Sequence, residues 1–102
     1  MKNCNGELQK DGIRRWVVNG KWHRIDGPAI IWPDGCQFWY QNNKRHRIDG
    51  PATIYANSEE YWWINGVELT EEVNAWISEN KFISWQQWTY VEKLLFWMNF
   101  NK

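Results

Sequence analysis

Three tryptophans, Trp16, Trp39 and Trp62, stand 23 residues apart in this chain, and Asn19, Asn42 and Asn65 keep the same interval. The run His23-Arg24-Ile25-Asp26-Gly27-Pro28-Ala29 returns unchanged as His46-Arg47-Ile48-Asp49-Gly50-Pro51-Ala52. Asp11-Gly12 returns as Asp34-Gly35 and, loosely, as Asn57-Ser58. Self-similarity at a fixed period of this size is the mark of a repeat architecture, in which each unit buries its apolar face against its neighbours. The period also sorts residues by role. A side chain that recurs in each unit reads as framework, and positions that vary between units are the functional candidates.

Asn-Gly between apolar runs signals a two-residue hairpin, because both turn positions need positive φ. Asn19-Gly20 and Asn65-Gly66 fit this pattern well, and Asn42-Asn43 fits it less closely. Such a turn fixes the register: Val18 faces Lys21, Val17 faces Trp22 and Trp16 faces His23, while Trp39 faces His46 and Trp62 faces Leu69. Pro33-Asp34-Gly35 and Ala56-Asn57-Ser58 suit three-residue loops, which set Ala29 opposite Trp39 and Ala52 opposite Trp62. A small residue then lies against a large one, as close packing prefers.

One sheet face should therefore carry Trp16, His23, Ala29, Ile31, Trp39, His46, Ala52, Ile54, Trp62 and Leu69, nearly the same in each unit. The opposite face should carry Val17, Trp22, Ile30, Trp32, Phe38, Tyr40, Arg45, Thr53, Tyr55, Tyr61 and Trp63, and it varies. From this aromatic face Trp22, Trp32, Tyr40, Arg45, Tyr55 and Trp63 are the candidate partner-binding residues, since aromatic and arginine anchors dominate binding hot spots.

The pattern changes after Gly66. Thr70 is the expected N-cap of a helix, with Glu71 and Glu72 in its first turn, where carboxylates favour the helix dipole. Val73, Trp76 and Ile77 follow at helical spacing. A second helix is expected from Ser84, whose spacing to Gln87 suits a capping box. Trp85, Trp88, Val91, Leu95 and Met98 would form its inward stripe. Tyr90, Leu94, Phe96, Trp97 and Phe100 widen that stripe almost to the full circumference, which asks for more than one neighbour. Tyr90, Leu94, Trp97 and Phe100 are the candidate association surface, and a homodimer is its simplest use. The expected fold is α+β: residues 1–102 as one domain, an antiparallel meander of six or seven short strands over 11–69 and a helical part over 70–102.

Twelve basic and twelve acidic side chains cancel. That argues against a non-specific grip on nucleic acid, which needs a basic surface. No run approaches the roughly 18 apolar residues of a membrane span. Residues 1–10 contain no apolar run of a secretory leader. Cys4 and Cys36 have no metal-like spacing, so free thiols in the cytoplasm are expected, with a Cys4–Cys36 disulfide as the alternative. His23 and His46 with Asp26 and Asp49 lack a nucleophile or a grouped ligand set. They are read as framework, each His packed on its Trp and oriented by a nearby hydrogen-bonding group such as the Asp. No catalytic residue, metal or cofactor is assigned.

At His23–Ala29 and His46–Ala52 the chain resembles the His-Arg-x-Asp-Gly-Pro-Ala repeats of phage, giant-virus and some bacterial proteins, which look like relatives of MORN-type hairpin repeats. The likeness covers about residues 11–69, and the exit through residues 65–72 with Trp76 behind it looks like the usual passage from such an array into a helix. The third unit lacks the motif and reads as a cap. The resemblance implies a hairpin module that binds or scaffolds, with no catalytic residues. Its viral flavour suggests a small phage or virus protein in the host cytoplasm that binds and sterically inhibits a host protein, such as a CRISPR effector or another defence factor. The alternative is a pocket for a nucleotide or glycan on the aromatic face.

Overall fold

The computed structural model describes residues 12–101. They form an α+β fold in which antiparallel hairpins are followed by helices. The strands are β1 (Arg14–Arg15), β2 (Val17–Val18), β3 (Lys21–Trp22), β4 (Ile30–Ile31), β5 (Gln37–Phe38), β6 (Tyr40–Gln41), β7 (Lys44–Arg45), β8 (Thr53–Ile54), β9 (Glu60–Tyr61), β10 (Trp63–Ile64) and β11 (Val67–Glu68). Then come α1 (Thr70–Asn80), a 3-10 turn at Trp85–Gln87, and α2 (Tyr90–Phe100). These eleven strands exceed the six or seven expected, and the marker tryptophans explain part of the difference. Each sits where an extended segment changes partner. Trp39 donates its N–H to the Ala52 carbonyl (2.7 Å) and accepts the His46 N–H on its own carbonyl (3.1 Å). The residues before each marker pair in a five-stranded sheet of order β1-β4-β5-β8-β9, and the residues after it close the tight hairpins β2–β3, β6–β7 and β10–β11. Successive tight hairpins are tied by backbone bonds, Asn43 N–H to the Trp22 carbonyl (3.0 Å) and Gly66 N–H to the Arg45 carbonyl (2.8 Å).

The turns set this register. Both central residues have positive φ at Asn19-Gly20 (52° and 76°), Asn42-Asn43 (53° and 66°) and Asn65-Gly66 (49° and 82°). This conformation matches the twist of the flanking strands. Asn43 replaces glycine and gains a bond: its Oδ1 accepts the Trp22 N–H at 2.7 Å. The tight pairings are those the turns predict, Val17 with Trp22, Tyr40 with Arg45 and Ile64 with Val67. The longer loops place Ile30 opposite Phe38 and Thr53 opposite Tyr61. Ala29 and Ala52, both 0 % exposed, consequently lie between successive marker tryptophans.

The recurring motif is a self-contained bonding set. Arg24 and Arg47 stack over Trp16 and Trp39, each with the guanidinium carbon 3.9 Å from the ring centre. Their Nε atoms donate to Asp26 (3.2 Å) and Asp49 (2.8 Å), and their Nη1 atoms donate to the carbonyls of Pro28 (3.1 Å) and Pro51 (3.0 Å). A Cβ on Gly27 or Gly50 would lie 2.7 or 2.8 Å from that guanidinium carbon, so a larger residue there would push the arginine out of its bonding set. The histidines join units. His23 Nδ1 accepts the Asn42 N–H (3.1 Å) and His46 Nδ1 accepts the Asn65 N–H (2.9 Å). The expected Asp–His pairing is thus corrected: the aspartates serve the arginines, and each histidine holds the turn of the next unit.

The third unit has no successor, and its chemistry changes accordingly. Leu69 takes the histidine slot and packs against the apolar cluster. Thr70 Oγ1 accepts the Trp62 N–H at 3.0 Å, the role played by an alanine carbonyl in the first two units. Thr70 is therefore not the N-cap of α1. That position is Leu69, without a side-chain cap. Lys81, at φ 56°, ends the helix in the left-handed conformation.

The largest apolar cluster joins Trp62, Ile64, Val73, Trp88 and Phe96, with Leu69, Trp76, Ile77, Trp85 and Phe100 around it. The helices thus cover the marker-tryptophan side of the third unit, not the aromatic face. The second helix begins at Tyr90, behind a capping box of Thr89 and Glu92, and not at Ser84. Thr89 donates two hydrogen bonds to Glu92 and holds its carboxyl below the usual range. The inward stripe is corrected as well. Phe96 is buried, while Val91, Leu95 and Met98 are exposed. Phe100, read from the sequence as an association residue, is half-buried with its ring 5.4 Å from that of Trp76 and 5.0 Å from that of Phe96. Cys36 is buried and disulfide-bonded, which corrects the free-thiol expectation there. Cys4, Asp11 and the leader reading of residues 1–10 lie outside the described residues.

Candidate functional site

The variable face is built by the half of each extended segment that follows the marker tryptophan, together with its hairpin partner. Cross-strand pairing brings Tyr40 opposite Arg45. Arg45 Nε donates to the Tyr40 hydroxyl at 3.2 Å. Its guanidinium carbon lies 5.0 Å from the Trp63 ring centre and 5.3 Å from that of Phe38. On the other side of Tyr40 the Trp22 ring meets it edge-on at 5.1 Å. Trp22, Tyr40, Arg45 and Trp63 thus form one ladder across three hairpins, one rung pair from each junction.

Tyr55 and Trp32 belong to the neighbouring part of the same face. Tyr55 meets Phe38 at 5.9 Å and Tyr61 at 5.6 Å, both edge-on. Trp32 packs with Tyr40 and Tyr55 against the buried group Ile30, Cys36 and Phe38. All six predicted residues therefore share a surface, but in two roles. Trp22, Tyr40, Arg45 and Trp63 line the hairpins, whereas Trp32 and Tyr55 partly roof a small core, and Tyr40 takes part in both. A shallow groove of about 450 Å³ opens among Tyr40, Asn43, Lys44, Arg45, Trp63 and Asn65. Asn43 and Lys44 were not singled out from the sequence. Their signal was the turn itself, which lifts its own side chains to the rim. The indole N–H groups of Trp32 and Trp63 are buried without a hydrogen-bond partner among the described residues.

Charge on the opposite face is held tightly. Burial lowers the Arg47 guanidinium from its ordinary value against the pull of Asp49 and Glu60, yet arginine stays a cation in proteins. Burial also lowers His46, which keeps Nδ1 free to accept the Asn65 N–H. Among the described residues no three His, Cys, Asp or Glu side chains group to hold a metal ion. No helix among them is long and apolar enough to cross a membrane.

The outer side of α2 is a second apolar surface. Tyr90, Val91, Leu94, Leu95, Trp97 and Met98 are all exposed and spread over nearly half of the helix circumference. Comparison with family models, with known proteins and with solved structures gives no match to the chain.

Proposed function

We propose that this chain is a non-enzymatic interaction module that holds a protein partner on the Trp22–Tyr40–Arg45–Trp63 ladder. The observation that carries this reading is the position of the helices: they pack on the marker-tryptophan side and leave the ladder open. Tryptophan, tyrosine and arginine in contact are what interface hot spots are made of. The action would be steric, with a partner surface masked by the bound module. The resemblance of the repeat motif to phage and virus repeats supports a host protein as that partner, by analogy of fold and not by the chemistry of a site.

A second reading rests on the groove at Tyr40, Lys44, Arg45 and Trp63, whose volume falls within the roughly 300–1,000 Å³ of small-ligand sites. There a cation and an aromatic wall would take a nucleotide or glycan. Alanine variants of Trp22, Tyr40 and Arg45, checked by melting, separate the two. A protein partner found by cross-linking should weaken about thirtyfold with each hot-spot loss. A small molecule released from the native protein, and absent from the Arg45 variant, would replace the first reading with the second.

A further inference from the structure

The repeat displays one of its own binding events. Trp85 leaves the helical part and docks on the junction of the second and third units. Its ring centre lies 4.9 Å from the Arg47 guanidinium carbon, so that Arg47 is held between Trp39 and Trp85. It meets Trp62 edge-on at 6.5 Å. Its Nε1 donates to Glu60 at 3.0 Å. The ring also sits over Gly50, where an added Cβ would lie 2.9 Å from it. The seat thus consists of an arginine, a glycine, a marker tryptophan and an acceptor two residues before that tryptophan.

Each of these has a counterpart 23 residues earlier: Arg24, Gly27, Trp39 and Gln37. The backbone repeats as well, since Ala29 and Phe38 pair there as Ala52 and Tyr61 do later. Here, however, no aromatic ring of the described residues is in place. The three atoms nearest to a Cβ added at Gly27 all belong to Arg24, whereas at Gly50 the Trp85 ring is among them. The Arg24 side chain is 26 % exposed where that of Arg47 is 14 %. Trp39 is 9 % exposed where Trp62 is 2 %. A groove of about 430 Å³ opens beside this position: Gly27 and Trp39 line it together with Ile25, Gln41, His46 and Ile48, and Arg24 and Gln37 lie outside its lining. Residues 1–11 contain no Trp, Tyr or Phe with which to fill it.

We infer that the junction of the first two units is a vacant seat for a tryptophan side chain of a partner protein, held between Arg24 and Trp39 above Gly27, with Gln37 accepting its indole N–H. Trp85 is the internal model of that ligand. The seat lies on the marker-tryptophan side, away from the ladder, so it stands or falls independently of the function proposed above. A second copy of this chain is the competing source, because Trp22 and Trp97 are exposed.

N-acetyl-tryptophanamide is the probe, followed by amide and side-chain NMR of the full chain. The expected result is saturable movement of Gly27, the Gln37 side-chain amide and the Trp39 indole, with N-acetyl-alaninamide silent. Gln37→Glu, which copies Glu60, should tighten binding about threefold or more, since a charged acceptor makes the stronger bond. Gln37→Leu should weaken it without touching the backbone. Trp85→Ala supplies the positive control, because a vacated aromatic cavity takes up an aromatic ligand. Added indole should then move Gly50 and raise the melting temperature. Probe that leaves Gly27, Gln37 and Trp39 in place, or that moves only the ladder residues, overturns the seat. Self-association of the wild-type chain that Gln37→Leu abolishes would give the seat to a second copy and overturn the assignment to a partner.

Discussion

The first two units and the third share a backbone but end differently, and the difference separates what the repeat supplies from what its position supplies. In the first two units the marker tryptophan is stacked by its own arginine and the histidine reaches forward to the next turn. In the third, Trp62 is covered by Trp85, Trp88 and Phe96, and Leu69 and Thr70 replace the histidine and the alanine carbonyl. One position of the motif therefore has three burial states: half-exposed at Trp16, 9 % exposed at Trp39 and 2 % at Trp62. Recurrence tells which residues are framework, and place in the array tells how much each contributes.

The largest test of that contrast is the tryptophan series. Trp62→Ala should lose about 3–5 kcal/mol, the range of large aromatic truncations in cores. Trp39→Ala should approach that range and Trp16→Ala should fall well short of it, all by chemical denaturation. Equal losses at the three sites would erase the distinction between motif and position. Next comes Ala52→Val. It forces extra atoms between Trp39 and Trp62 and should cost about 1–3 kcal/mol by overpacking.

His46→Leu sharpens the comparison, because leucine already serves in the third unit. The variant should fold and lose about 1 kcal/mol, the value of one hydrogen bond, since the Asn65 N–H loses its acceptor. It also carries a pH signature. The folded pKa of His46 lies below its ordinary value of 6.5, so protons bind the unfolded chain more readily. Stability present above pH 6.5 should fall as pH drops through that value and level off below the folded pKa. Denaturation midpoints of wild type and His46→Leu should converge in acid. A gap that stays constant with pH would deny the histidine its neutral role.

The smallest effect on stability is expected on α2. Leu94→Glu with Trp97→Glu should change folding by no more than about 0.5 kcal/mol per site, as surface substitutions do. If the outer face joins two copies, light scattering will show a dimer for the wild type and a mass near 12.4 kDa for the double variant. A wild type already at that mass rules out a stable dimer.

The hairpins were legible in the sequence because their information is local. Two residues of positive φ fix a register, and the register then dictates which side chains meet, including Tyr40 with Arg45. The histidine bond was not legible. Its partner is a backbone N–H 19 residues away, and any residue but proline presents one. The inward side of α2 was misread for a definite reason. Trp85 and Trp88 are both packed inward but precede the helix, in a 3-10 turn and an extended residue. Extending their phase to Val91, Leu95 and Met98 therefore turned the helix the wrong way, and aromatic residues on nearly all sides gave no contrast to correct it.

The forward reach of the histidine sets where such an array can lengthen. A copied unit inserted between the second and third would find a histidine behind it to hold its turn and an asparagine ahead for its own to hold. The same copy placed after Leu69 would meet neither, and would separate Trp62 from the helices that bury it. By this logic the array can lengthen ahead of its third unit but not behind it. Each inserted copy would add one more arginine–glycine–tryptophan seat, so that length would set valence.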